Sequence, residues 1–207
     1  MTNWVERLTG ETQTKLLALL RRSQRSITAL AKALRLTDNA VRTHVAALRR
    51  DGIVEDVGAQ TDTGGKPARV YALTKEGEEL FPKAYAFVLG ELVDEIARED
   101  GRDRAIVLLR AVGQRAAAGV AAPADPAGRV AAAAAALRDL GADIEVQRTD
   151  AGWRLQGHGC PLSAVTPTHP EVCALAQALI EEITGQEVTE CCERTGRPRC
   201  TFSIPDA

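Results

Sequence analysis

No stretch of the 207 residues approaches the roughly 20 consecutive apolar residues that a membrane-spanning helix needs. The N-terminus also lacks a basic-then-apolar signal pattern. Both absences predict a cytoplasmic protein without a membrane partner. There is no GxxxxGK loop to cradle phosphates, no HExxH, no GxSxG and no carboxylate pair in a distinctive setting, so a non-enzyme is expected. No internal repeat is present. The five cysteines contain no CxxC pair, which removes the commonest zinc-ribbon and ferredoxin patterns.

What is present divides the chain by charge. Residues 1 to 75 carry 13 Lys and Arg against 7 Asp and Glu, whereas residues 76 to 207 carry 13 against 21. Only the front half is suited to a polyanion. The expected class is α+β, with a DNA-binding winged helix-turn-helix domain over 1–75, a dimerisation or linker helix over 76–100 and a cysteine-containing α+β domain over 101–207.

The front half is organised around Ser26 to Gly52. Ser26 is a good N-cap, and Ile27, Leu30, Ala31 and Leu34 then fall at helical spacing. Arg35-Leu36 makes a turn. Thr37 caps a second helix whose buried stripe is Val41, Val45 and Leu48, with Gly52 at its end. Asn39, Arg42, Thr43, Ala46, Arg49 and Arg50 remain outward, and most can hydrogen-bond base edges or phosphates in a major groove. The plainer reading is a small helical hairpin with a solvated basic face. Against it, Ile53–Val57 and Val70–Leu73 are β-prone runs flanking a Gly-rich loop with Lys66 and Arg69, as a wing beside a phosphate strand requires. The candidate DNA contacts are Thr37, Asn39, Arg42, Thr43, Arg49, Lys66 and Arg69.

Thr12 is a candidate cap for a first helix through Leu16, Leu17, Leu19 and Leu20. After the wing, Phe81, Tyr85, Val88, Leu92 and Ile96 recur every three or four residues, with Pro82 in the first turn or at a kink. This stripe could pair with its copy in a two-fold dimer on an inverted-repeat operator, or pack within its own subunit. Arg104–Val120 reads as a helix with Ile106, Leu109, Val112 and Ala116 inward, although Gly113 weakens it. An Ala-rich helix over Gly128–Leu140 and a hairpin of Ile144–Arg148 with Trp153–Gln156 follow.

All cysteines lie from residue 160 onward. Cys160 precedes Pro161 and should be extended at the hairpin's end. Cys173 should lie in the first turn of a helix whose stripe is Val172, Leu175, Ala176, Leu179, Ile180 and Ile183, where the helix dipole favours a thiolate. Glu187–Glu193 and Arg199–Ile204 read as strands joined around Gly196. That turn pairs Cys192 with Cys200 on one face and points Cys191 to the other. Cys160, Cys173 and Cys200 can therefore converge, with Cys192 or Cys191 as a fourth, and such thiolates need a cation or cluster between them. A set of small buried cysteines remains the alternative. Arg194, Arg197 and Arg199 could offset a cluster's charge. His44 is expected to be partly buried and structural; His158 and His169 are read as packing groups able to tune a cluster by hydrogen bonding.

Trp4–Leu20, the segment Leu36 to Val45, the wing exit Lys66 to Thr74, and the tail Cys160-Pro-Leu, His169-Pro-Glu-Val-Cys173 and Gly196 to Phe202 resemble SufR-type regulators. These are winged-helix, iron-sulfur-responsive transcription factors allied to ArsR and DeoR proteins. The resemblance implies a dimeric repressor of iron-sulfur assembly genes, with cluster ligands at Cys160, Cys173 and Cys200. A [4Fe-4S] cluster is favoured over [2Fe-2S]. The Cys191-Cys192 pair does not match the fourth cysteine that some members carry, so the resemblance leaves the fourth ligand open, with Cys192 or Cys191 the candidate from the residues. Control through that cluster's occupancy or redox state is the leading expectation; thiol oxidation, zinc or a small organic effector are the alternatives.

Overall fold

The computed structural model describes residues 10–60, 67–194, 196 and 198–206. Lys66 and Arg197, together with residues 1–9 at the start of the first resembling segment, lie outside these. The chain forms two compact units, residues 1–83 and 84–207, each mixing helix and strand. Among the described residues no helix is long and apolar enough to cross a membrane.

The first unit holds α1 (Glu11–Arg22), β1 (Arg25–Ser26), α2 (Ile27–Leu34), α3 (Asp38–Arg50), β2 (Val54–Gln60), β3 (Ala68–Leu73) and α4 (Lys75–Glu79). Helix α1 starts after Gly10 rather than at a Thr12 cap, and Glu11 and Lys15 form an i, i+4 pair in its first turns. Ser26 and Thr37 cap α2 and α3 by accepting the N–H groups of Ala29 and Ala40. Between these helices Arg35 takes the left-handed conformation at φ 56°, which turns the chain within two residues. Leu16, Leu17, Leu30, Val41, Val45 and Leu48 close the core. The sheet order is β1-β3-β2; the two-residue β1 gave no periodic signal in the sequence. A bulge between Asp56 and Gly58 bends the hairpin, with the Asp56 carboxylate accepting the Gly58 N–H.

Phe81 does not extend the stripe that follows it. It is buried in the first unit's core, where Arg21 lies 4.2 Å above its ring. Pro82 lies in the break between α4 and α5 (Tyr85–Asp100), since a proline cannot supply the N–H that would continue the first helix.

The second unit comprises α5, α6 (Arg102–Ala117), α7 (Pro126–Asp139), β4 (Ile144–Thr149), β5 (Gly152–Gly157), a 3-10 turn (Pro170–Val172), α8 (Cys173–Thr184), β6 (Thr189–Glu190) and β7 (Thr201–Pro205). Its sheet is antiparallel in the order β4-β5-β7-β6. Helices α7 and α8 cover one face through Val130, Ala133, Leu137, Leu179 and Ile180 against Leu155, Phe202 and Ile204. The inward side of α6 is Ala105, Leu109, Gly113 and Ala117; Val112 is 40% exposed and Ala116 is exposed. The expected stripe is therefore displaced by one residue except at Leu109. Helix α8 comes so close that a Cβ on Gly113 would sit 2.1 Å from the Leu175 carbonyl oxygen. Small residues are needed where two backbones meet, and a search for bulky apolar positions overlooks them.

Candidate functional site

On α3, Thr37, Asn39, Arg42, Thr43, Arg49 and Arg50 are exposed, while Val41, Val45 and Leu48 anchor the opposite side in the core. His44 is half-buried. Thr43 donates its hydroxyl to the Asn39 carbonyl, and Arg49 lies 5.8 Å from the Tyr71 ring centroid. Both contacts restrain side chains on a surface-facing helix. Arg69 is exposed but bound to Asp56, whose carboxyl is held below its ordinary range by the Gly58 N–H and then by Arg69 itself.

In the second unit the cysteines arrive from separate pieces of chain. Cys160 follows β5, anchored by Gly157 donating to the Cys200 carbonyl and His158 donating to the Asp143 carbonyl. Cys173 is the first residue of α8. Cys200 immediately precedes β7. The pairings Glu190↔Phe202 and Glu193↔Arg199 place Cys192 opposite Cys200. All five cysteines are free; Cys173 and Cys200 are buried, Cys160 and Cys192 half-buried, and Cys191 exposed. The Cys191 thiol points away to the Thr189 carbonyl.

Cys160, Cys173, Cys192 and Cys200 all line one small pocket, beside Glu193, Arg194 and Arg199. Cys160 is the member most able to ionise. Its value is held at about 7, chiefly by Cys200 and further by the Leu162 backbone and Thr166 hydroxyl. Cys200 is pushed up to about 12 by its contact with Cys160. At Cys192 the contact with Cys173 favours the thiolate, but Cys200 and burial prevail and push it up to about 12.

Cys173 is also pushed up, by Cys192, burial and nearby Glu190. The expected helix-start stabilisation is overridden. Its own N–H is directed to the Glu171 and Pro170 carbonyls of the 3-10 turn, and burial beside other sulfurs outweighs the dipole. The group is thus mostly neutral thiols, which require a cation before they can become thiolates together.

Cys160, Cys173 and Cys200 line an apolar hollow of about 180 Å³, together with Leu137, Leu162, Leu175 and Phe202. Thr166 enters it with a buried hydroxyl that has no conventional partner and faces Cys160. Arg194 and Arg199 stand beside the sulfurs, and Arg194 also pairs with Glu190. This donor set fits a thiolate-bound cluster: soft sulfur ligands, apolar walls and adjacent cations. No histidine enters the sulfur group. His158 faces Glu145 at 3.2 Å, while buried His169 lies 3.8 Å from Asp94 and 3.7 Å from Glu171.

Two residues escaped the sequence reading. Glu190 brings a carboxylate oxygen into a group with the Cys173 and Cys192 sulfurs, all within 4.8 Å of one another. Its signal was the i, i+2 spacing to Cys192 within the run Glu187–Glu193 that the sequence reads as a strand. Thr166 had no signal, because its burial depends on the loop that carries Cys160 against α8.

Residues 10–56 match the family described as bacterial regulatory protein, arsR family. This stretch carries an ArsR-type helix-turn-helix. No curated protein matches the chain. Among solved structures, a variant of Lactococcus lactis ZitR is 15% identical, covering 42% of this chain and 73% of that one with a TM-score of 0.29. The adhesin competence repressor AdcR from Streptococcus pyogenes is 18% identical, covering 49% and 75% with a TM-score of 0.30. Overlap at this level establishes no shared function.

Proposed function

We propose that the protein is a DNA-binding transcription regulator, a homodimeric repressor acting on an inverted-repeat operator, whose affinity is set by a cysteine-bound iron-sulfur cluster. The observation that carries this reading is the convergence of Cys160, Cys173, Cys192 and Cys200 from four chain segments, in a protein whose other unit exposes a basic helix-turn-helix. Cys160, Cys173 and Cys200 are the ligands and Cys192 the fourth, with [4Fe-4S] the favoured form. The protein acts by binding and not by turnover, and its genes of control are those of iron-sulfur assembly or related redox and iron functions.

These ligands stand on separate chain segments, so all must be held in one geometry at once. When bound, the cluster supplies a tie whose presence depends on iron and redox state. The chain's own contribution is to connect that tie to α5. His169, four residues before Cys173, lies 3.8 Å from Asp94 on α5, and a Cβ built on Gly90 of α5 would rest 3.7 Å from His169 Nε2, at ordinary packing distance. On the outer side of α5, Tyr85, Val88 and Leu92 are 72%, 49% and 55% exposed. This stripe is the proposed dimer contact. A change in order at Cys173 would alter the pairing of α5 with its copy and so the spacing of two recognition helices; operator and cluster then influence each other's affinity equally.

Anaerobic purification followed by a visible absorption spectrum with iron and sulfide analysis tests the reading, repeated on Cys160→Ser. The expected result is a brown protein whose colour disappears in the variant and whose operator affinity changes with loading. A colourless protein that also fails anaerobic reconstitution overturns cluster control and leaves DNA binding standing. The apolar lining of the 180 Å³ hollow favours one second reading, a small uncharged organic effector. That regulator would respond to its effector with Cys160→Ser in place.

A further inference from the structure

We propose that Cys173, Glu190 and Cys192 form a site for a single divalent cation of the zinc type, and that this cation and the cluster exclude one another through the two shared sulfurs. The inference rests on the cluster reading above only for the exclusion. The cation site itself stands on the geometry of the trio.

The two sulfurs and a Glu190 oxygen already lie within 4.8 Å of one another. Tetrahedral zinc, with Zn–S near 2.3 Å and Zn–O near 2.0–2.2 Å, sets ligand atoms about 3.5–3.8 Å apart. The trio therefore needs to contract by at most about 1 Å. The backbone is prepared for it. Glu190 ends β6, Cys192 lies two residues on, between that strand and the Glu193↔Arg199 bridge, and Cys173 is fixed at the start of α8.

Glu190 is also held in place. Its Oε1 accepts the Cys192 N–H at 2.8 Å and its Oε2 pairs with Arg194. A carboxylate has about four lone-pair sites, so both oxygens retain capacity for a cation. Partners of this kind orient a metal-binding carboxylate. Two thiolates and one carboxylate carry three negative charges, a divalent cation supplies two positive ones and Arg194 supplies the last. The half-buried group is neutral with a divalent ion in place, and Arg194 has a buried Nε without a partner beside it. Cys160 and Cys200 lie outside the trio. A solvent molecule completes the fourth position, as in open zinc sites.

The test uses the full-length, reduced, metal-free chain under anaerobic conditions, titrated with Zn²⁺ against a chromophoric chelator and with Co²⁺ as a spectroscopic substitute. Wild type should bind one Zn²⁺, and the Co²⁺ protein should show tetrahedral bands with charge transfer from two thiolates. Cys160→Ser should keep zinc affinity within about twofold while losing the cluster. Cys192→Ser and Glu190→Gln should each weaken zinc by more than the roughly 10- to 100-fold typical of losing an outer partner. Glutamine still accepts the Cys192 N–H, and the thiolate count on the wild-type Co²⁺ protein needs no variant at all. Zinc-loaded protein should refuse iron and sulfide until the zinc is chelated.

Four thiolates on Co²⁺, an unchanged Glu190→Gln, an equal loss in Cys160→Ser and Cys192→Ser, or co-loading of zinc and cluster would each overturn the proposal. A chain that loads iron and sulfide but no zinc sinks the cation site alone. One that binds zinc as described but never takes a cluster removes the exclusion and the cluster reading, and leaves the trio as a cation site.

Discussion

The Cys192 sulfur accepts the backbone N–H of Thr201 at 3.3 Å, in the place where a neighbouring strand's carbonyl would ordinarily accept it. The return bond, from the Cys191 N–H to the Thr201 carbonyl, is intact at 2.8 Å. The ladder between β6 and β7 thus opens on one side only, and it opens to direct a thiol inward. Cys191 keeps the backbone bond and faces outward. Adjacent cysteines are separated into an interior and an exterior thiol by strand alternation and one substituted hydrogen bond.

Arg42 projects from the exposed side of α3, beside the anchoring Val41. Arg42→Ala should cut the preference for operator over random DNA by about 1–3 kcal/mol, the range for one bidentate base contact. Competition binding on the two DNAs measures it, and an unchanged ratio removes Arg42 from base reading.

Arg69 is paired with Asp56, so a wing laid along DNA would bring one cation partly neutralised. Asp56→Asn keeps an acceptor for the Gly58 N–H and releases Arg69, which should steepen the slope of log affinity against log salt by about 0.9. The same carboxyl sets a pH dependence. Its folded value is lowered, so its contribution to stability is present above the ordinary carboxylate range and is lost as pH falls through the depressed folded value. Thermal melts should show that acid-side loss in wild type and its absence in Asp56→Asn.

Leu92 is central to the exposed stripe of α5. In a two-fold contact each copy contributes it, and burying one leucine is worth about 1.5–3 kcal/mol. Leu92→Glu should convert dimer to monomer in sedimentation analysis and lower operator affinity, with the first unit's melting unchanged. A variant that stays dimeric moves the contact elsewhere.

Gly113 poses two opposed effects. Alanine is the better helix former by about 0.8–1.0 kcal/mol, yet its Cβ would meet the Leu175 oxygen at 2.1 Å. That contact is backbone and cannot rotate away, and overpacking of this kind costs about 1–3 kcal/mol. Gly113→Ala should therefore lower the melting temperature of the second unit, as followed by circular dichroism; a rise would show that α6 and α8 can separate without loss.

The sequence by itself determined the helix-turn-helix, because Ser26, Thr37 and the apolar spacings of α2 and α3 are local signals that caps and periodicity encode within a few residues. It also placed the β6–β7 turn at Gly196, since strand register follows from turn position and alternation. Tertiary structure decided the rest. Phe81 joined one core while Tyr85 stayed exposed, a separation that no three- and four-residue spacing can express. The inward side of α6 was chosen by how closely α8 approaches, which favours Gly113 over Val112. Above all, the proximity of Glu190 and Thr166 to the cysteines, and the loss of Cys173's dipole advantage, arise from burial among groups distant in the chain. Hydrogen-bond capacity and helical phase can be read locally; desolvation depends on what the finished fold brings alongside.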